Sequence, residues 1–247
     1  MKNVRLPNGM TVWTNHKRGT LAVYREIFEE KIYGGFDLVD GDVVIDVGAN
    51  VGLFARWLQS LGIGLYLFCF EPARDSYECL IRNVPNVSCL RLALGRSCCK
   101  AMLTTYPRIP ELSTVCPERF AVQEKQRWQS YLASFLWGWF AAMVVFWLFD
   151  KRKGEPCRVI NLSSVLPDFA EVALLKIDVE KAEEDVLDGI DDDDWLKIKQ
   201  LAVECHCGEA QVDRLKNLLC LKGYEVERLD NMVFPQLDNP LLKCRRL

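Results

Sequence analysis

A glycine-containing loop follows the short β-branched run Val43–Val47 and carries the first chemical signal in the chain. The loop reads Asp46-Val47-Gly48-Ala49-Asn50-Val51-Gly52. Glycine lets the backbone turn sharply and approach a ligand closely. A dinucleotide fingerprint would have glycine where Asn50 stands, so binding of a diphosphate is disfavoured. Asp46 ahead of the first glycine suits a ligand that carries a cation or an amine, and S-adenosylmethionine is such a ligand.

Charged residues also mark the ends of later predicted strands. Glu71 closes the second strand, 25 residues after Asp46, where a carboxylate can accept hydrogen bonds from both hydroxyls of a ribose. In the fourth strand, a period of two places Lys176, Asp178 and Glu180 on one face. Such charges are costly in an apolar strand unless they pair or act chemically. Lys176 is therefore expected to neutralise Asp178 or Glu180 and leave the other facing a ligand.

His206 lies at the end of the fifth predicted strand and has the same parity as Glu204. A neutral imidazole there could take a proton from a hydroxyl group. The alternatives are a structural histidine and a purely structural ion cluster. The triplet 205–207 and the pair Cys98-Cys99 lack the spacing of paired zinc ligands, so no metal site is predicted.

These side chains need a scaffold of alternating strands and helices. Strands are predicted at 43–47, 65–70, 87–94, 173–179, 201–205 and 224–229, with helices at 53–61, 73–83, 181–187 and 211–222. This alternation predicts an α/β fold with a mostly parallel sheet flanked by helices. The ligand then lies outside the carboxyl ends of the strands. A hairpin around Asn8-Gly9 and a helix at 21–33 are predicted to precede this core.

The order and spacing of these motifs resemble the FkbM-type methyltransferases over most of the chain, from about Val4 to Val226. The similarity lies at 41–52, 70–72, 92–95, 106–118, 174–183, 195–200 and 203–206. It implies a Rossmann-like, class I O-methyltransferase that depends on S-adenosyl-L-methionine. The implied acceptor is a hydroxyl of a small molecule such as a sugar or a polyketide-like product.

Site residues are assigned from these motifs together with the resemblance. The candidate catalytic residues are Asp178, Glu180 and His206. The candidate cofactor-binding residues are Asp46, Gly48, Ala49, Asn50, Gly52, Glu71, Pro72, Ala93 and Leu94. One departure is Lys181, where glycine is the commoner residue of the family. It would either narrow the mouth of the pocket or favour an anionic acceptor.

Composition limits the class of protein. The 247 residues carry 31 basic and 34 acidic side chains, a net charge of −3, which argues against a nucleic-acid partner held by phosphate contacts. One domain over 1–247 is predicted: 1–40 as the N-terminal hairpin and helix, 41–95 as the cofactor-binding half, 96–172 as a variable segment and 173–247 as the second half. Eleven scattered cysteines and a polar N-terminus favour a cytoplasmic location.

The segment 132–149 stands apart because 16 of its 18 residues are hydrophobic. As a helix it would measure about 27 Å, close to the roughly 30 Å of a bilayer core. A span would put strands of one sheet on opposite sides of the membrane, which is excluded. Three interpretations remain: a helix at a membrane surface bent at Gly138, a lid over an apolar pocket or a homodimer interface, and a translated intron.

Two other functions compete with the methyltransferase. A catalytically inactive, membrane-associated module that binds the cofactor would account for the apolar segment and for Lys181. A nicotinamide-dependent oxidoreductase is disfavoured by Asn50 in the glycine loop.

Overall fold

The computed structural model describes residues 1–117, 129, 138–206, 208–230 and 239–247, with the backbone alone at 138–141. The predicted N-terminal hairpin is confirmed: β1 (Lys2–Arg5) pairs antiparallel with β2 (Thr11–Thr14). Helix α1 (Lys17–Tyr24) continues as a π-helical turn over Arg25–Glu29. The whole helix thus begins and ends four residues before the predicted one. Its first turn is polar, so the spacing of apolar residues does not reveal where the helix begins.

The next four elements agree with the prediction to within one residue. They are β3 (Val43–Val47), α2 (Leu53–Ser60), β4 (Tyr66–Phe70) and α3 (Arg74–Asn83). The strand predicted at 87–94 is wrong as a single element. It divides into β5 (Ser88–Leu90), which pairs with β4, and β6 (Ala93–Leu94), which joins a second sheet.

That second sheet was not predicted. It contains β6, β7 (Cys99–Thr105) and β8 (Lys153–Ile160), in the order β6-β8-β7. The long antiparallel register of β7 and β8 joins segments separated by the apolar region, and a local pattern does not reveal such pairing. Between them lies α4 (Gly138–Asp150). The predicted apolar helix is therefore confirmed over 138–149, while 132–137 lies outside the described residues.

The second half of the main sheet follows in chain order. Its elements are β9 (Leu174–Ile177), α5 (Glu183–Leu187), β10 (Gln200–Glu204), α6 (Glu209–Leu221), β11 (Tyr224–Leu229) and β12 (Leu241–Arg246). The seven-stranded sheet has the order β11-β12-β10-β9-β3-β4-β5. The five strands from β10 to β5 are parallel, and β12 inserts antiparallel between β10 and β11. The predicted α/β class is confirmed, whereas β12 was not predicted.

Apolar cores cover both faces of this sheet. One contains Ile45 and Leu175, and the other contains Val44 and Leu174, so neighbouring residues of a strand enter opposite cores. No helix within the described residues is both long enough and apolar enough to cross a bilayer. The ten cysteines that the structure describes are all free thiols.

A close backbone approach fixes the carboxyl ends of β3 and β9 against each other. Gly48 has a φ of +81°, and a Cβ at this position would stand 1.7 Å from the carbonyl oxygen of Asp178. The amide of Asp178 donates to the carbonyl of Val47 at 3.0 Å, and the amide of Gly48 donates to Phe70 at 2.9 Å. Glycine is required here for both its backbone conformation and its lack of a side chain.

We therefore expect Gly48→Ala to lower the free energy of unfolding by about 3 kcal/mol or more, from the strained φ and the overlap together. Gly62 is the matched control, since it also has a positive φ (+73°) but a Cβ added to it would meet no atom within 4 Å. Gly62→Ala should cost about 1–2 kcal/mol. Urea denaturation measures both, and equal losses would contradict the role given to the close approach.

Candidate active site

One cavity of about 870 Å³ opens at the carboxyl ends of β3, β4 and β9. It lies where an open α/β sheet is expected to bind its ligand. Its volume is near the upper end of the range of about 300–1,000 Å³ for small-molecule sites. The cavity therefore has room for more than one small group, and it divides into an inner part near the strand ends and an outer part near α1 and α4.

Most of the predicted cofactor-binding residues line the inner part. They are Gly48, Ala49, Asn50, Glu71, Pro72, Ala93 and Leu94. Asp46 and Gly52 lie behind this wall. The Asp46 carboxylate is buried, with Oδ1 3.0 Å from the Lys176 ammonium, and Gly52 gives close packing, since a Cβ there would stand 2.8 Å from Cδ1 of Leu80. Direct contact of these two residues with a cofactor stays a prediction.

Glu71 connects the glycine loop to the start of α3. Its Oε2 accepts the amide of Asn50 and its Oε1 accepts the amide of Ala73, each at 2.8 Å. Asn50 has a φ of +49°, a conformation that asparagine tolerates better than most residues. Burial raises the pKa of Glu71 to about 7, against the two amide hydrogen bonds that lower it. The carboxylate is therefore already oriented before any ligand arrives.

A buried ion pair joins β3 to β9 at the cavity, which Lys176 also lines. The Lys176 ammonium lies 3.0 Å from Asp46 Oδ1 and 3.4 Å from Asp178 Oδ2. Burial acts to lower the pKa of Lys176, but Asp46 and Asp178 more than offset it and raise that pKa. Of the two predicted partners of Lys176, the structure shows Asp178; that Glu180 faces a ligand stays a prediction, and both carboxylates line the cavity. Asp46 is the partner that sequence reasoning missed. A period of two along one strand does not reveal a neighbour on the next strand.

His206 lies among carboxylates at the end of β10. Its Nδ1 is 2.7 Å from Glu183 Oε1. Its Nε2 stands 3.5 Å from Glu180, 3.6 Å from Glu204 and 3.7 Å from Asp178. The structure thus brings the three predicted catalytic residues together. Sequence reasoning missed Glu183, which was visible only as part of the 174–183 motif.

The proton affinities of this cluster differ among its members. Burial, followed by the charge of Glu204, raises the pKa of Asp178 to about 6 despite Lys176 and His206. Burial acts to lower the pKa of His206, but Glu180, Glu183 and Glu204 raise it well above its usual range. Burial opposes ionisation of Glu204, yet His206 and Lys176 hold its pKa below the usual value. The carboxylates around His206 therefore favour its protonated form, while Asp178 titrates near pH 6.

Asp178, Glu204 and His206 each offer a ligand atom within 4.8 Å of the others, a spacing that could hold a metal ion. The expected absence of a metal stays a prediction.

The outer part of the cavity comes from segments that carry no motif. One side is formed by α1 and the residues after it, including Val23, Ile27 and Ile32. The other side is formed by the segment 106–115 and by α4. His16 Nδ1 joins the two sides through Glu111, 2.9 Å away. Sequence reasoning assigned no site residue here, because apolar side chains give no chemical signal until the fold assembles them.

Known proteins resemble this chain in sequence and in fold. Residues 46–226 match the model of the methyltransferase FkbM domain. The whole chain is 31% identical to the 31-O-demethyl-FK506 methyltransferase FkbM of Streptomyces tacrolimicus and covers 97% of that protein. It is 28% identical to Methyltransferase 1 of Beauveria bassiana, over 92% of this chain and 90% of that protein.

A solved structure supports the fold alone. The methyltransferase FkbM from Methylobacillus flagellatus superposes with a TM-score of 0.54 at 14% identity, over 85% of this chain and 45% of that chain. The family model and the full-length relative carry the family assignment. The chain belongs to the FkbM methyltransferase family, so it is a class I methyltransferase whose methyl donor is S-adenosylmethionine.

Proposed function

We propose that this protein transfers the methyl group of S-adenosylmethionine to a hydroxyl oxygen of a small organic acceptor. The observation that carries the proposal is the position of Asp178. Its carboxyl group, with a pKa of about 6, lines the same cavity as the glycine loop and Glu71. A base with such a pKa is suited to taking a proton from a hydroxyl near neutral pH.

The residues of the inner part fit the methyl donor. Gly48, Ala49 and Asn50 line the cavity at the end of β3, and Gly48 leaves no room for a side chain because a Cβ there would collide with Asp178. Glu71 has lone pairs left for ribose hydroxyls after accepting two amides. Pro72, Ala93 and Leu94 add apolar contact. When bound, the donor supplies a methyl group that is already activated by a positively charged sulfur.

Asp178 then acts on the acceptor. Its carboxylate accepts the hydroxyl proton as that oxygen takes the methyl group. His206 is the weaker candidate for a base, because the surrounding carboxylates keep it protonated. Glu180 contacts the imidazole at 3.5 Å, and it would share the negative charge of the site rather than receive the proton. Holding the reacting atoms in line supplies most of the rate, and proton transfer adds about 10²–10⁴-fold.

A relative supports oxygen as the methylated atom. The name of the Streptomyces tacrolimicus protein describes methylation at an oxygen of a demethylated FK506. By analogy, a sugar hydroxyl or a polyketide-like hydroxyl is the acceptor proposed for this chain.

The apolar segment and Lys181 were the two grounds for the competing hypothesis of a catalytically inactive module. Lys181 has a φ of +78° and is 2% exposed. It is not among the described residues that line the cavity, so its side chain gives no support to an inactive site.

Incubation with labelled S-adenosylmethionine and a panel of sugars and hydroxylated lactones tests the reaction. We expect one equivalent of S-adenosylhomocysteine for each methylated product, with the label stable to mild base as a methyl ether would be. Cofactor binding without transfer to any hydroxyl compound would favour the inactive module.

Glu71→Gln should weaken the affinity for S-adenosylhomocysteine by about 10–100-fold. An amide cannot accept both backbone hydrogen bonds, and it loses the charge that strengthens bonds to ribose hydroxyls. Isothermal titration calorimetry at pH 8, where Glu71 is mainly ionised, measures the change. Glu78→Gln is the control, since Glu78 lies on α3 but only pairs with Arg74 at the surface. Similar affinities for the two variants would remove Glu71 from the cofactor site.

The rate should depend on pH through Asp178. With S-adenosylmethionine saturating, so that protonation of Glu71 near pH 7 does not limit cofactor binding, kcat/KM for the acceptor should rise about tenfold per pH unit up to about pH 6 and level off above it, because only the ionised carboxylate of Asp178 accepts a proton. Asp178→Asn should lower kcat by about 10²–10⁴-fold and abolish this rise. Asp188→Asn, which alters a surface pair with Arg96, should leave the profile unchanged. The assay uses the acceptor found in the panel, and a flat wild-type profile would contradict this role.

A further inference from the structure

The outer part of the cavity has a helical wall built from the apolar segment. Val144, Trp147 and Leu148 of α4 all line the cavity. Their spacing of three and four residues puts them on one face of the helix. Val23, Ile27 and Ile32 line the same cavity and supply further apolar side chains. These described residues therefore give an apolar part to the wall of the cavity that also holds Asp178 and His206.

Contacts on a second face hold this wall in position. Val145 and Phe149 are buried against Tyr106 and Ile109. The rings of Phe149 and Tyr106 meet edge to face with centroids 5.4 Å apart. This arrangement anchors α4 on the segment 106–112, so the helix is fixed by packing even before a ligand binds.

Trp147 stands at the rim of the cavity. Its side chain is about half exposed, and the guanidinium of Arg108 lies 4.0 Å from the centre of its ring. Arg108 also donates a hydrogen bond to the backbone carbonyl of Trp147. A cation stacked on an indole restrains the ring, so this aromatic surface is held ready at the entrance.

From this geometry we infer that α4 binds the apolar body of the methyl acceptor. The ligand class is a hydroxyl compound with an extended hydrocarbon or ring body, whose hydroxyl reaches Asp178 while its apolar part lies along Val144, Trp147 and Leu148. A free sugar would leave this wall without a partner. The position of the hydroxyl rests on the proposed function, but binding of the apolar body does not, so the two can fail separately.

Affinity for a neutral apolar dye, N-phenyl-1-naphthylamine, tests the wall without any methyl transfer. The wild-type protein should bind the dye with a rise and a blue shift of its fluorescence. Val144→Asp should weaken dye binding at least tenfold, because it puts a carboxylate on the cavity wall. Met143→Asp is the matched control on the same helix, since Met143 is exposed and does not line the cavity. It should change the affinity less than twofold.

A second pair of variants avoids added charge. Trp147→Ala should weaken dye binding about fivefold or more, whereas Phe146→Ala should have no effect. Both aromatic side chains are more than half exposed, but only Trp147 lines the cavity. Circular dichroism and an unchanged affinity for S-adenosylhomocysteine show that each variant is folded.

The alkyl chain length of competing alcohols tests how far the apolar wall of the cavity extends. In the wild type, displacement of the dye by 1-hexanol, 1-octanol and 1-decanol should strengthen up to about tenfold for each pair of methylenes. Val144→Asp should flatten this series. Equal dye binding by Val144→Asp and Met143→Asp, or no dependence on chain length in the wild type, would overturn the inference. A third result would also overturn the inference. If Phe146→Ala abolishes binding to phosphatidylcholine vesicles while Val144→Asp and Trp147→Ala bind the dye as the wild type does, then α4 faces lipid.

Discussion

The buried ammonium group of Lys176 is the interaction on which the arrangement of the site depends. Lys176 is 3% exposed and reaches Asp46 on β3 as well as Asp178 beyond its own strand. A lone charge at this depth would cost several kcal/mol, and only close partners offset that cost. Two neighbouring parallel strands are thereby tied together at their carboxyl ends. The aromatic rings of Tyr33 and Phe54, 5.9 and 5.6 Å away, face the same cation.

Sharing one cation between two carboxylates leaves the strand ends rich in negative charge. Asp46 takes the nearer position, so Asp178 is only partly compensated. Burial and Glu204 then raise its pKa to about 6. A cavity floor of this kind favours a cationic ligand and, beside it, a group that can accept a proton. Under the proposed function, selection of the methyl donor and activation of the acceptor thus follow from one charge distribution.

The sequence predicts the parts of the fold that are local. The elements from β3 to α3 are predicted by short β-branched stretches, by glycines at the turns and by the helical spacing of apolar residues. The same signals identify Gly48 and Glu71. Strand β12 was not predicted, because the alternation of strands with helices indicates parallel neighbours and β12 lies antiparallel between β10 and β11. The pairing of Lys176 with Asp46 was not predicted because the two residues are 130 positions apart and lie on different strands. What a local pattern does not reveal is which segments become neighbours.

The apolar segment illustrates a different limit. A helix that is hydrophobic all round has no preferred face, so periodicity cannot say what covers it. In the structure, α4 meets different environments on different sides: Val145 and Phe149 enter a small core, Val144 and Leu148 face the cavity, and Phe146 faces solvent. Leu148 also packs against that core, so the cavity side is partly covered by protein contacts. A ligand in the cavity removes this side from water, and under the proposed function it also reaches the carboxylates at the strand ends. An acceptor that is apolar along its body and hydroxylated at one end meets both conditions.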